Sequence, residues 1–343
     1  MSWWLPRAAF AVLMVITLMV FLVLVNLIEI PPEIVARLPF KLPDEQTDRP
    51  MQAIYQLEAQ AALTGWTPET RRLAGDLWRS AGDLRRAVAY WETAPADSPV
   101  LRDRAEAYID LQRWADAQDV LEQLLAKAPS NSTNYTWTQF QLGLITAAYD
   151  PARAAEHLRA AASAYGDSVT RLLPVLETTT DPLRVGIALA DAELWSYAEL
   201  TFTQADDPLA TAYAGLARDM QGKDGGEQIE RALLLAPENP RVHFLYGLHL
   251  RLTFDFAGSL QAITQAVALD PENPALYAEL GRAYQLMDDL TSAERWLKFA
   301  VELDSQFQSV LDAFYEDEAS LLRSIGLMDE AVLPFDPSLS PEQ

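Results

Sequence analysis

Along most of this chain apolar residues recur every three or four positions, in runs of about a dozen residues parted by short polar turns. That spacing predicts amphipathic helices rather than strands. The runs are also in register with one another. Residues 240–269 and 274–303 superpose with a shift of about 34 residues, joined by the connector Asp270-Pro271-Glu272-Asn273-Pro274. Gly247 then falls on Gly281, Leu250 on Tyr284, Ile263 on Leu297 and Ala266 on Ala300. Small residues held at fixed places beside large ones predict pairs of short helices in close contact. One pair cannot cover its own apolar face, so successive pairs are expected to stack.

The same rhythm divides the chain. After a flank at 1–7, residues 8–28 are uncharged, with Thr17 and Asn26 as their polar members. That length suits one helix across a hydrocarbon core. Arg7 precedes the run, and Trp3 and Trp4 stand where an aromatic belt would lie. Residues 26–32 offer no small-x-small cleavage site, so an uncleaved transmembrane anchor is expected rather than a signal peptide. Arg7 places the N-terminus in the cytoplasm and the body on the far side of the membrane. Residues 29–50 hold Pro31, Pro32, Pro39, Pro43 and Pro50 and are read as a stiff, extended linker.

Residues 51–66 carry Ile54, Leu57 and Ala61 on one helical face and read as a leading half-repeat. The array follows over 67–305. Its first unit has Gly75, Trp78, Ala87, Trp91, Ala94 and Pro99 at the small, aromatic and proline places. Residues 165–181 interrupt the rhythm as an irregular insertion; an extra helix over 168–177, limited by Pro174, is one form it can take. The glycine-rich turn at 221–226 is expected to shorten the helix after it. Residues 306–326 read as a C-terminal capping helix and 327–343, with Pro334 and Pro337, as a flexible tail.

In residues 274–303 the set Tyr277, Leu280, Gly281, Tyr284, Ala293, Leu297 and Ala300 resembles the tetratricopeptide repeat, with Ser305 where that family usually has proline. The resemblance spans about 68–303. It implies an all-α helical solenoid, a right-handed superhelix, here with one N-terminal transmembrane helix. It further implies a concave groove for other proteins, lined by the first helix of each pair. Carried over by position, Phe140, Leu144, Leu183, Ile187, Leu216, Phe244 and Leu248 would line its centre. Arg72 and Arg102 would lie at its front, and Arg241, Arg251 and Arg282 at its back. The paired Lys and Asn with which some members hold a peptide carboxylate are missing from the matching places, so an amphipathic or extended apolar segment is the expected ligand.

Composition narrows the partners. With 26 basic and 49 acidic residues the formal charge is −23, which repels nucleic acid and favours basic or amphipathic protein partners. There is no cysteine, so thiolate metal sites and cysteine nucleophiles are excluded. No phosphate-binding loop, nucleophile elbow or zinc-protease motif occurs, and no enzyme activity, cofactor, catalytic residue or metal site is expected. His243 and His249 lie six residues apart on one helix and point to different faces, which argues against a two-histidine site. His157 is expected on a solvated face. The resulting expectation is a membrane-anchored scaffold or adaptor. A holdase-type chaperone for exported polypeptides and a structural subunit of an envelope complex stay open beside it.

Overall fold

A computed structural model describes residues 45–324. Every regular element among them is helical. The expected anchor at 8–28, its flank at 1–7, most of the linker and the tail at 327–343 lie outside the described residues. None of the described helices is long and apolar enough to cross a membrane. The chain divides into two compact units, 1–100 and 101–343.

The first unit contains α1 (Glu45–Thr64), α2 (Pro68–Ser80) and α3 (Leu84–Trp91). Helix α1 starts six residues before the end of the expected linker and holds Pro50 inside it. The correction has a simple cause. Pro50, the sixth residue of the helix, removes one backbone donor and the helix continues past it, so the proline count alone overestimated the linker. Ile54, Leu57 and Ala61 are buried, as are Ala74 and Trp78 of α2 and Ala87, Val88 and Trp91 of α3. Thr67 caps α2 reciprocally with Thr70, and Pro68 opens it. The Tyr90 hydroxyl donates to Glu58 at 3.0 Å, tying α3 back to α1.

The second unit is built of consecutive pairs: α4 (Ser98–Asp110) with α5 (Trp114–Lys127), and α6 (Thr133–Thr146) with α7 (Pro151–Thr178). Next come α8 (Pro182–Asp191) with α9 (Trp195–Phe202), and α10 (Pro208–Met220) with α11 (Gly226–Leu235). Then follow α12 (Pro240–Leu252) with α13 (Phe256–Leu269), and α14 (Pro274–Leu286) with α15 (Leu290–Leu303). A 3₁₀ turn, Ser305–Phe307, leads into α16 (Gln308–Ser324), whose Leu311 and Phe314 close the apolar cluster of the last pair. Several of the acidic residues serve as helix caps. Asp83, Asp150, Asp181, Asp207, Asp255 and Asp289 each accept a backbone N–H at the start of a helix.

Residues 165–181 are mostly helical. Helix α7 continues through them to Thr178 and bends at Tyr165, where φ is −125° and ψ 35°. Past the bend, Val169, Leu172 and Leu176 are buried. Helix α11 is 10 residues long against 14 for α13 and α15, as the glycine-rich turn before it led us to expect.

One contact recurs in pair after pair. The glycine of the first helix lies under a large side chain of the second: Gly75 under Trp91, Gly143 under Leu158, Gly186 under Phe202. Gly215 under Ile229, Gly247 under Ile263 and Gly281 under Leu297 repeat it. A Cβ at any of the six would fall between 2.3 and 2.7 Å from that neighbour. In the α4–α5 pair Ala105 and Leu121, both 0% exposed, hold the matching places. The turns repeat too. Gly82, Gln112, Glu193, Gly222, Phe254 and Asp288 all adopt positive φ where the chain reverses between paired helices.

Gly215 is the tightest case for the backbone, because a Cβ there also meets the Gly225 carbonyl at 2.7 Å. A flexible side chain can move aside and a carbonyl held in a turn cannot. Gly215→Ala should therefore cost roughly 2 kcal/mol in urea unfolding, and more than Gly281→Ala, whose nearest obstacle is a leucine side chain.

Candidate protein-binding surface

The first helices of three consecutive pairs, α8, α10 and α12, place Leu183, Tyr213, Leu216, Phe244 and Leu248 against one cluster. That cluster is Leu209, Ala212, Ala232, Val242 and Leu245. The five outer side chains are half-buried, so each keeps part of its apolar surface in water. Ile187 of α8 is half-buried as well. Arg241, in the first turn of α12, is exposed and has no ion-pair partner among the described residues. Burial raises the pKa of the Tyr213 phenol above its usual value, while the positive charge of Arg241 acts against that rise.

Other expected groove residues are not available. Phe140 and Leu144 are buried, at 6% and 1% exposure. Tyr165, at the bend of α7, stacks on Phe140 with ring centroids 4.1 Å apart. Tyr197 of α9 packs on Trp114 and donates its hydroxyl to Gln141 Oε1 of α6. The chain itself therefore covers the α6 part of the expected groove. Arg251 and Arg282 are also taken. Both bond Glu279, a residue 5% exposed: Arg251 ties α12 to α14, and Arg282 pairs with Glu279 within α14 while its side chain stays 49% exposed. Of the two front arginines, Arg72 pairs with Asp97 in the first unit. Arg102, in the second, bonds Glu106 and Asn134 and lies over Trp137.

His157 differs from its expectation. It is half-buried, with Nδ1 2.6 Å from Gln139 Oε1, and its Nε2 is buried without a hydrogen-bond partner. Burial, with Arg153 nearby, lowers its pKa below the usual histidine value.

The unforeseen feature is a polar lock around Glu199, a carboxylate of α9 that is 8% exposed. Gln112, from the α4–α5 turn, donates to Oε2 at 3.0 Å, and Gln221 at 2.8 Å. Arg218 donates to Oε1 at 3.1 Å, and Lys223 lies 3.7 Å from Oε2. Burial pushes the Glu199 carboxyl up. The two glutamine hydrogen bonds, Lys223 and Arg218 outweigh it and hold the carboxyl below the ordinary value of 4.5.

A family model described as the tetratricopeptide repeat matches residues 79–136. The match supports the resemblance drawn from the repeats and covers one stretch of the chain. No curated protein matches. Among solved structures, the human IFIT1 dimer with m7Gppp-AAAA is 16% identical, with TM-score 0.38 over 83% of this chain and 71% of that one. The APC/C hetero-tetramer Cut9-Hcn1 is 16% identical, with TM-score 0.37 over 82% and 62%. MamA 41-end from Desulfovibrio magneticus RS-1 is 16% identical, with TM-score 0.25 over 70% and 96%. At such identities and scores, nothing about the ligands of this chain follows from them.

A carboxyl with a depressed folded pKa adds stability that is complete above its unfolded value and lost as the pH falls through its folded one. Glu199→Gln should accordingly cost roughly 3 kcal/mol at pH 7, by leaving Arg218 and Lys223 without their buried partner. Urea midpoints of the two proteins should converge as the pH drops below 4.5.

Proposed function

We propose that this protein is a membrane-anchored tetratricopeptide-type adaptor that binds other proteins through the α8–α10–α12 wall. Residues 8–28 serve as the anchor, with the N-terminus cytoplasmic and the helical body beyond the membrane. It works without catalysis or cofactor. The observation that carries this reading is the row of half-buried apolar side chains on three consecutive first helices. Such a row keeps apolar area in water that a partner can cover, and an isolated fold has little reason to retain it. Its breadth over three helices suits an amphipathic helix or an extended apolar segment. The −23 charge favours a ligand with basic flanks.

A photoreactive residue in place of Phe244, activated in intact cells, should crosslink a defined partner identifiable by mass spectrometry. Leu248→Asp should weaken capture of that partner by about thirtyfold, the effect of losing a contact worth roughly 2 kcal/mol. Leu234→Asp, at an outward position 84% exposed, should leave it unchanged. Crosslinks to many unrelated unfolded chains would favour the holdase reading instead, and a fixed stoichiometric complex the structural-subunit reading. A wall that crosslinks to nothing beyond an anchor-only control would overturn all three.

A further inference from the structure

Above the N-terminus of α11, three groups from two helices and a turn converge. Asp219 ends α10, Asp224 lies in the turn that follows, and His249 comes from α12. One ligand atom from each lies within 4.8 Å of the others. His249 is 8% exposed, and its Nδ1 lies 2.8 Å from Asp219 Oδ2. An ionised carboxylate only accepts, so Nδ1 carries a proton, and in the neutral form of the ring the lone pair is on Nε2. Nε2 takes no hydrogen bond from a described residue and is not among the sealed, unpartnered nitrogens, so it is open to solvent.

We infer that His249 Nε2 and the Asp224 carboxylate form a binding site for one divalent transition-metal ion of the zinc class. Asp219 stands behind the imidazole as a positioning residue. A metal-binding histidine generally donates its other ring N–H to a carboxylate, which fixes the tautomer and strengthens the ligand nitrogen. Asp219 is placed for this work, because its second oxygen is held by the Gly225 N–H at 2.8 Å. Imidazole and carboxylate together suit zinc and its neighbours better than calcium or magnesium, which prefer oxygen alone.

The turn leaves room for the ion. A Cβ at Gly226 would lie 3.0 Å from His249 Nε2 and 3.2 Å from Asp224 Oδ1. The gap left by that glycine is therefore bordered by both proposed donors. Asp224 is exposed, so its side chain can rotate to close on an ion and water can complete the coordination. The nearest cations do not compete for its carboxylate. Arg218 donates to the Asp224 backbone carbonyl and to Glu199, and Lys223 pairs with Glu199. A purely structural Asp219–His249 pair would account for Nδ1. The placement of Nε2 and the Asp224 carboxylate on the two sides of one glycine gap is what the metal site adds to it.

The test is calorimetric titration of zinc chloride into the full chain, stripped of metal and held in mild detergent. One ion should bind per chain. His249→Gln and Asp224→Asn should each weaken binding by at least about tenfold. His157→Gln and His243→Gln should leave it unchanged. Cobalt chloride should give a visible absorption band that disappears in the first two variants. Asp224→Asn keeps the oxygen that caps the Gly226 N–H, so it carries the test alone if His249→Gln loses its helical circular dichroism. Absence of saturable one-ion binding would overturn the site. So would binding that survives either of these two substitutions in folded protein.

Discussion

The close approach of a glycine backbone to a bulky side chain is the constraint from which the rest of this structure follows. It sets how near the two helices of a pair can lie. Where Gly281 leaves space, Leu297 packs directly on the backbone of the partner helix; where Gly75 does, the indole of Trp91 takes the place and still donates its N–H to Asp76. Packing at that density makes each pair a rigid slab. The slab has an outer face left over, and stacking on the next pair is the way to cover it.

That stacking is incomplete in an instructive way. Between α8 and α12 the first helices leave a row of side chains half in water, while around α6 the equivalent surface is closed by Tyr165 and Tyr197. The bend in α7 separates the two regimes. It lets the helix turn its tyrosine onto Phe140 and bury a further apolar stripe beyond. Arginines are apportioned in the same manner. Arg251 and Arg282 are spent on Glu279, whereas Arg241 stands in solvent beside the apolar row.

The helices and their pairing were legible because they depend on local periodicity and on side-chain size at positions 34 residues apart, both of which a single sequence displays. The last two pairs show this best. The bend at Tyr165 was visible as an interruption, but not its packing, since nothing in the residues around Tyr165 states that Phe140 is its neighbour. Arg251 was assigned to a groove by position, and its capture by Glu279 depends on how two pairs are rotated against each other. The groups around Glu199 and His249 were illegible for the same reason. Gln112, Glu199 and Gln221 share no motif, and His249 meets Asp219 across 30 residues. The one signal in the sequence was modest: a double glycine at 225–226, marking a backbone placed close to a partner.

The lock around Glu199 also bears on how the second unit loses its structure. In a linear array with nearest-neighbour contacts alone, terminal repeats can fray independently and unfolding can spread inward one repeat at a time. A bond from Gln112 to Gln221 spans 109 residues and ties the start of α5 to the end of α10. That long-range contact couples repeats that are not neighbours, and forming it requires a distant encounter. Helices α11 to α16 follow that contact and lie outside it.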